Sequence, residues 1–157
     1  MSDAPGWSIL QIVATRLAAI SVANGYYTEA GATVDTERVA LDEADTFPRI
    51  ALAEETMSTL AQTTAAINSA MVLCAEGYIP VGVDDAEYQA HRLKADITRA
   101  LGRIKSSDFE GIENVRVTLF EVKGDRPTLR SPEGVAFIVV QVRATVTFAE
   151  YIPPASG

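Results

Sequence analysis

The sequence contains few of the residues with which enzymes carry out chemistry. It has one histidine, His91, and one cysteine, Cys74. A Ser-His-Asp triad would have to use His91, but the chain lacks the Gly-x-Ser-x-Gly motif that presents many nucleophiles. It also lacks CxxC pairs, phosphate-binding glycine loops and nucleotide fingerprints. We therefore predict that the protein is not an enzyme and binds no cofactor, with His91 partly exposed on a helix and Cys74 buried and inert.

Other absences limit where the protein works. A single cysteine excludes an internal disulfide, so nothing indicates a secreted, disulfide-stapled scaffold. Residues Met1–Gly6 lack the basic start of a signal peptide, and the longest apolar run is too short to span a membrane. We expect a protein that is made and kept in a cytoplasm.

Basic residues are also scarce. The net charge is -8 at pH 7, with 13 Lys and Arg against 21 Asp and Glu. Nucleic-acid binding needs an excess of Lys and Arg for contact with phosphates, so this balance argues against a nucleic-acid-binding surface. An acidic wall would instead repel phosphates and let DNA slide past it.

The acidic residues do not form a metal site or a catalytic pair by their spacing. Glu54 and Glu55 are adjacent in a predicted strand, so they point to opposite faces and cannot act together. Asp84 and Asp85 are explained as a helix cap. The acidic loop at 42–45 lacks the spacing and the glycine of a calcium loop, so we predict a solvated loop without a metal.

What is present indicates one folded domain, 1–157. Hydrophobic residues make up 48% of the 157 residues and charged residues 22%, which is ordinary for a soluble fold. The charges are uneven, however. Residues 1–90 carry 3 basic and 13 acidic side chains, whereas residues 91–157 carry 10 basic and 8 acidic. Either this is chance, or an acidic face of one copy meets a basic face of the next.

The first half of the chain predicts one helix followed by short strands. Ser8 and Gln11 have capping-box spacing, so the helix should begin near Ser8, and Asn24–Gly25 should end it. Its buried stripe at helical spacing is Ile9, Ile12, Val13, Leu17 and Ile20. Short strands are expected at 32–35, 37–41 and 49–54, with a polar loop at 42–48. The apolar segment 63–81 predicts a long strand, although its Ala and Met content also allows a helix over 57–68.

The second half predicts a long helix and a hairpin. The helix is capped by Asp84 or Asp85 and ends at 106–108. Its buried stripe is Ala86, Ala90, Leu93, Ile97, Ala100, Leu101 and Ile104. Its other faces carry Arg92, Lys94, Asp96, Arg99, Arg103 and Lys105. In the hairpin, Val115, Val117 and Leu119 alternate with Arg116, Thr118 and Phe120, and 135–148 alternates with Arg143, Thr145 and Thr147.

This order of elements predicts an α+β fold, in which a mostly antiparallel sheet carries two main helices packed on one face. Five residues should form the centre of the core: Leu17, Ile20, Leu93, Ile97 and Leu101. The twelve residues Lys123–Gly134, between the two strands of the hairpin, form a long polar loop.

Several of these features occur together in one known family. They are the Gly25-Tyr26 exit from the first helix, the segment with Arg38, Leu41-Asp42 and Pro48, and the long strand before the Asp-capped second helix. In this combination the chain resembles the tail terminator (tail completion) proteins of long-tailed bacteriophages. The resemblance spans nearly the whole chain, and it carries no catalytic residue.

The resemblance implies a structural role in the virion. Proteins of this family form a ring on the last ring of the tail tube protein, and for this chain the ring is expected to be a homohexamer. The ring stops tube growth and provides the joint to the head-tail connector or neck protein, while DNA passes through the lumen without specific binding. The protein would then be found in the tail or neck, and in the host cytoplasm during assembly. The alternative is a small-ligand-binding or enzymatic α+β domain whose pocket lies between helix and sheet.

A ring subunit needs residues that contact its neighbours. We predict acidic contributors at Asp42 and Asp45 and basic contributors at Arg92, Arg99 and Arg103 on the second helix. The Lys123–Gly134 loop should be a docking arm with Leu129 as its anchor, because Leu129 is its only large apolar residue. Arg126 and Arg130 would meet acidic partners. The simpler possibility is a plain hairpin tip.

Overall fold

Two helices packed on one face of a five-stranded sheet form the fold, in a computed structural model that describes residues 3–37, 47–123 and 137–153. The elements are α1 (Pro5–Ala18), β1 (Val34–Asp35), β2 (Arg49–Gln62), β3 (Ala66–Pro80), α2 (Ala86–Gly102), β4 (Val115–Val122) and β5 (Phe137–Tyr151). The strand order is β1-β2-β3-β5-β4, with β1 parallel to β2 and all other neighbours antiparallel. The predicted α+β class is confirmed.

The core lies between the helices and one face of the sheet. Alternate residues of the central strands point into it, among them Met71 and Val146, which face each other across β3 and β5 and are both 0% exposed. The five residues predicted as its centre, Leu17, Ile20, Leu93, Ile97 and Leu101, are each no more than 1% exposed. Their burial confirms the predicted centre of the core, although Ile20 lies just beyond the end of α1.

Gly77 lets α2 approach the sheet closely. A Cβ atom on Gly77 would lie 2.5 Å from Leu93 Cδ2 and 3.0 Å from Ile97 Cδ1. Both distances are shorter than a carbon–carbon contact allows, so the strand has no room for a side chain here. The two α2 side chains therefore pack directly on the backbone of β3.

The predicted start of the first helix is wrong by one turn. The helix begins at Pro5 with Ala4 as its N-cap, and no side chain caps it. Ser8 instead lies in the first turn, where its backbone N–H donates to Ala4 O at 3.1 Å. Proline suits the first position of a helix because its φ angle is already helical and it has no N–H to satisfy.

The chain after α1 is also less regular than predicted. The helix ends at Ala18, and Gly25, with φ +88°, ends a separate 3-10 turn at Val22–Asn24. Another 3-10 turn at Ala30–Ala32 replaces part of the expected strand, which shortens to β1. A salt bridge of 2.6 Å between Arg49 and Asp35 then ties β2 to β1.

The long strand predicted at 63–81 is one half of a hairpin, and the alternative of a helix over 57–68 is wrong. Strand β2 continues to Gln62, the chain turns at 63–65, and β3 follows from Ala66. Thr63 Oγ1 accepts hydrogen bonds from the backbone N–H groups of Ala65 and Ala66, at 3.2 and 3.1 Å, which closes the turn. Pairing between the strands therefore overrides the helix propensity of Ala and Met.

In β4 the predicted alternation fails after Val117. The pairing with β5 shifts register between Val117 and Leu119, which is the mark of a β-bulge. The bulge turns Phe120 onto the helix side, where its ring stacks on Phe109 at a centroid distance of 5.8 Å. Leu119, expected on the core side, is 47% exposed instead.

Some predictions concern residues outside the described ranges. These are most of the strand at 37–41, the loop at 42–48 up to residue 46, and the loop at 123–134 beyond Lys123. The predicted contact residues Asp42, Asp45, Arg126, Leu129 and Arg130 also lie there. Their roles stay predictions.

We expect Gly77 and Leu93 to be coupled energetically. Gly77→Ala should lower the free energy of unfolding by about 1–3 kcal/mol through overpacking. Leu93→Ala should lower it by about 2–5 kcal/mol through the cavity it leaves. In the double variant the new methyl group enters part of that cavity, so the loss should be smaller than the sum of the single losses.

Chemical denaturation of the three variants measures this coupling. Gly102→Ala is the matched control, because no atom lies within 4 Å of the Cβ position at this helical glycine. It should leave stability unchanged or raise it by up to about 1 kcal/mol. Strictly additive losses at Gly77 and Leu93 would contradict direct packing of α2 on the strand.

Candidate interaction surfaces

The segment Gly25–Thr28, which connects α1 to β1, is held against α2 by Asp96. The Asp96 side chain is 0% exposed. Its carboxylate accepts hydrogen bonds from Tyr27 N at 2.9 Å, Thr28 N at 2.8 Å and Thr28 Oγ1 at 2.8 Å. A buried carboxylate is stable only when such donors replace its lost water. Asp96 therefore works as an internal anchor, and its predicted place on an outer face of the helix is wrong.

Two predicted contact residues, one in the last turn of α2 and one just after the helix, hold the same segment. Arg99 donates a hydrogen bond to Gly25 O at 3.0 Å, and its guanidinium lies 5.2 Å from the centre of the Tyr27 ring. Arg103 donates to Tyr26 Oη at 3.1 Å and lies 5.1 Å from the centre of that ring. These distances suit cation–π attraction. Both arginines thus make contacts within the chain.

Arg92 links the segment to an exposed aromatic surface. It donates to Tyr27 O at 2.6 Å and lies 5.7 Å from the Tyr27 ring and 5.5 Å from the Tyr88 ring. Tyr27 is 49% exposed and Tyr88 61%. Tyr and Arg residues are enriched in protein interfaces, because each side chain offers a large contact area with a polar tip. This surface thus has the composition of an interface.

The structure brings Arg92, Arg99 and Arg103 together, but sequence reasoning missed Asp96 as the residue that organises them. A signal was available. Asp96 lies three residues after Leu93 and four before Ala100, so it borders the buried stripe of α2. An acidic side chain at such a position needs donors from another segment, and the polar Tyr27-Thr28 pair can supply them.

Large exposed apolar side chains form a group at the hairpin end of the sheet, where β2 turns into β3. The group, which we call the hairpin-end patch, consists of Trp7, Met57, Leu60, Tyr151 and Ile152, each between 41% and 59% exposed. It spans both faces of the sheet end, because Met57 lies on the helix face and Tyr151 on the other. Pairing of Ala66 with Tyr151 and a bond from Ile152 N to Ala65 O place the end of β5 beside this turn. The start of α1 lies over the same end.

A groove of about 440 Å³ crosses this end between α1 and the sheet. Its apolar lining comes from Trp7, Leu10, Met57 and Phe148. Two carboxylate residues, Glu54 and Glu150, also line it. Neither of them forms a salt bridge with any residue that the structure describes. We call this feature the α1 groove.

A second exposed apolar group lies at the opposite end of the strands. It consists of Val81, Val83, Tyr88 and Tyr27, each between 45% and 61% exposed, and we call it the turn-end patch. Val81, Val83 and Tyr88 share a depression with Ile138, and Arg92 joins Tyr88 to Tyr27. The two patches contain nine of the eleven large apolar side chains that are exposed in the described residues. Apolar exposure is thus concentrated at two sites.

The sheet face that lacks described helices carries a polar network. Tyr78 Oη donates to Glu76 Oε2 at 2.6 Å, and Gln141 Nε2 donates to Glu76 Oε1 at 2.9 Å. Burial, together with the hydrogen bond to Glu76, raises the pKa of Tyr78 above its ordinary range. Farther along, Arg143 forms a salt bridge of 2.7 Å with Glu55, and its hydrogen bond lowers the pKa of that carboxyl. These groups hold one another in structural contacts.

His91 and Cys74, the two residues considered for catalysis, lie on different elements, α2 and β3. His91 is exposed on α2, as predicted. Cys74 is a buried free cysteine, and desolvation raises the pKa of its thiol to about 11. No group of three or more His, Cys, Asp or Glu among the described residues could hold a metal ion. No helix in the described ranges combines the length and apolar character that a membrane crossing requires.

Comparisons with known proteins found no match among protein-family models and none among curated proteins.

We expect Asp96→Ala to destabilise the fold by about 3 kcal/mol, because two backbone N–H groups would lose a charged acceptor. Asp96→Asn should lose less, since its amide oxygen can still accept from Thr28. Thr98→Ala, at an exposed position of the same helix, is the control and should stay within about 0.5 kcal/mol of wild type. Thermal or chemical unfolding measures all three. An unchanged stability of Asp96→Ala would show that the anchor is not needed.

We expect the Cys74 thiol to be nearly inert in the folded protein at pH 8. The pKa of about 11 leaves only about one thiol in a thousand as the reactive thiolate at that pH. Because the folded pKa is raised, labelling by a thiol reagent should quicken about tenfold per pH unit up to pH 10. In denaturant the rate should level off above the ordinary thiol pKa of about 8.5. Equal labelling rates in the folded and the denatured protein would contradict burial of the Cys74 thiol.

Proposed function

We propose that this protein is a structural subunit that assembles with copies of itself into a ring and joins other parts of a larger particle. The observation that carries the proposal is the division of exposed apolar surface into two patches at opposite ends of the strands. An isolated monomer gains nothing from such exposure, and clusters of exposed apolar side chains commonly mark protein contacts.

Two separate patches suit contacts with two different neighbours. Strand β3 runs between them over 15 residues, which corresponds to roughly 45 Å. A two-fold dimer needs one self-complementary patch, whereas a ring built head to tail needs two different patches that fit each other. The arrangement therefore favours a ring, or a subunit that links two partners along the strand direction.

The charges support directional contacts as well. Basic residues cluster along α2 and just after it, at Arg92, Lys94, Arg99, Arg103 and Lys105, whereas the α1 groove carries Glu54 and Glu150. Exposed ion pairs contribute only about 0.2–1 kcal/mol each, so apolar burial must supply most of the binding energy. Opposite charges would mainly guide the encounter of two copies.

The resemblance to phage tail terminator proteins makes this proposal specific. Under it, six copies form a ring on the tail tube protein, stop tube growth and provide the joint to the head-tail connector or neck protein. The net charge of -8 fits a lumen through which DNA passes without specific binding. The protein would act in the virion tail or neck, and in the host cytoplasm during assembly.

The alternative, a small-ligand-binding or enzymatic domain, has less support. It requires a pocket between helix and sheet, but α2 packs directly on β3 at Gly77. The α1 groove is open, and its polar groups in the described residues are mainly two unpaired carboxylates and Ser69. A binding pocket for a small molecule normally surrounds its ligand with several converging polar groups.

We expect the purified protein to form a species with six times the 16.8 kDa mass of one chain, at high concentration or with a tail tube protein. Native mass spectrometry or light scattering measures this. Met57→Ser and Val83→Ser, one in each patch, should each weaken the assembly. Higher salt should slow assembly of the wild type through screening.

Leu119→Ser provides the matched control, because Leu119 is 47% exposed and lies outside both patches. It should assemble like wild type. A protein that stays monomeric under all these conditions, or equal losses from all three variants, would contradict the proposed ring.

A further inference from the structure

The α1 groove is built to receive an apolar side chain. Its floor and walls come from Phe148, Met57 and Leu10, and Trp7, 42% exposed, stands at its rim. The start of α1 lies directly on the sheet here, since a Cβ on Gly6 would come within 3.1 Å of Met57 Cε. A groove of this kind leaves apolar surface in water until a partner covers it.

The same groove is also acidic, so it favours a positively charged partner. Glu54 and Glu150 line it and form no salt bridge with a described residue. Two carboxylates beside apolar walls favour a ligand that carries an apolar side chain with cations close to it. An anionic or purely aliphatic ligand would leave both carboxylates without a counter-charge.

This chain contains one segment with that chemistry in Lys123–Gly134. The run Arg126-Pro127-Thr128-Leu129-Arg130 places a single large apolar residue between two arginines. Arginine is the preferred partner of a carboxylate, because its guanidinium can donate two parallel hydrogen bonds. The run therefore complements the groove in both apolar character and charge.

Reaching the groove of its own chain would require nearly full extension of the chain between Leu129 and Phe137. Leu129 precedes Phe137 by eight residues, so a fully extended chain between them spans at most about 29 Å. Phe148 in the groove follows Phe137 by eleven residues of β5, which corresponds to roughly 36 Å. Holding that stretch straight would cost much conformational entropy, so a second copy is the favoured donor of Leu129.

Strand addition at the edge of β2 competes less well as a mode of contact. No described strand pairs with β2 beyond Ala51 on its outer edge. The strand is bulged, however, and Glu55 and Leu60 lie at its two register shifts. Bulges at an edge interrupt the regular spacing of N–H and C=O groups that another strand would need.

We propose that the α1 groove binds the 126–130 segment of a neighbouring copy, with Leu129 in the apolar floor and Arg126 and Arg130 opposite Glu54 and Glu150. This inference rests on the proposed self-assembly, to which it adds the contact. The segment and the groove are different surfaces, so each copy offers one and receives the other. Such a head-to-tail contact closes into a ring when its rotation permits.

Disulfide trapping between two variants tests the contact. One carries Met57→Cys and the other Leu129→Cys, both with Cys74→Ala so that no native thiol takes part. When the two are mixed and oxidised, a disulfide-linked pair of chains should form. Ser58→Cys replaces Met57→Cys in the control, because Ser58 is the next residue of β2, is also exposed, and points to the other face of the sheet.

The control should give at least about tenfold less product, because cysteines held on opposite faces cannot meet the geometry of a disulfide. Equal trapping at both positions, or none at Met57→Cys, would overturn the inference. So would a bond that forms only within single chains carrying both Met57→Cys and Leu129→Cys.

A charge exchange gives an independent readout. Glu54→Arg with Glu150→Arg should lower the assembled fraction about tenfold, since two attractive pairs become repulsive. Adding Arg126→Glu and Arg130→Glu should restore assembly. Glu110→Arg with Glu113→Arg, at exposed positions that do not line the groove, should have no effect. If the variant with all four substitutions does not recover assembly, the pairing of the two arginines with the two glutamates is overturned.

The outcomes separate this inference from the proposed function. If the wild type forms a ring but trapping and rescue both fail, the ring stands and the groove contact is wrong. A tail tube protein could instead protect the cysteine of the Met57→Cys variant from labelling, while copies of the chain do not cross-link. In that case the groove is a contact site, but the 126–130 segment is not its occupant. If the wild type stays monomeric, both proposals fail.

Discussion

The buried carboxylate of Asp96 is the interaction on which the arrangement of the other parts depends. It accepts three donors from the Tyr27-Thr28 pair and so fixes the connection between α1 and β1 against α2. Both helices also pack on the sheet, so the anchor ties the chain that leaves the first helix to the second helix. The arginines on either side of Asp96 along α2 then hold the tyrosines of the same segment, and Arg92 extends the contact to Tyr88.

The same construction leaves both ends of the sheet open to partners. At one end, Arg92 holds Tyr27 and Tyr88 in a patch with Val81 and Val83. At the other, the start of α1 forms a groove with β2 and β5. Side chains that are already held in place lose little freedom when they bind, which favours association. A subunit with two different ends is suited to head-to-tail assembly, and this is the basis of the proposed ring.

Sequence reasoning found the members of the α2 cluster but not what joins them. The positions of Arg92, Arg99 and Arg103 follow from helical spacing, yet their carbonyl and ring partners lie some 65–77 residues away in the chain. Asp96 was misplaced because periodicity cannot distinguish a border position that faces solvent from one that faces a second segment. The α1 groove was not predictable either, since it requires Trp7 and Phe148, from opposite ends of the sequence, to meet.

The sequence by itself determined the α+β class, the two helices, the alternating strands and the buried centre, because each depends on a local period of apolar residues. It also determined the scarcity of catalytic groups. Only the tertiary structure decided where the hairpin turns, which face Leu119 takes and what Asp96 binds. A hairpin turn and a bulge are set by pairing with β3 and β5, and a buried charge is set by the donors that the fold brings to it. These are properties of contacts between distant residues, which no local pattern contains.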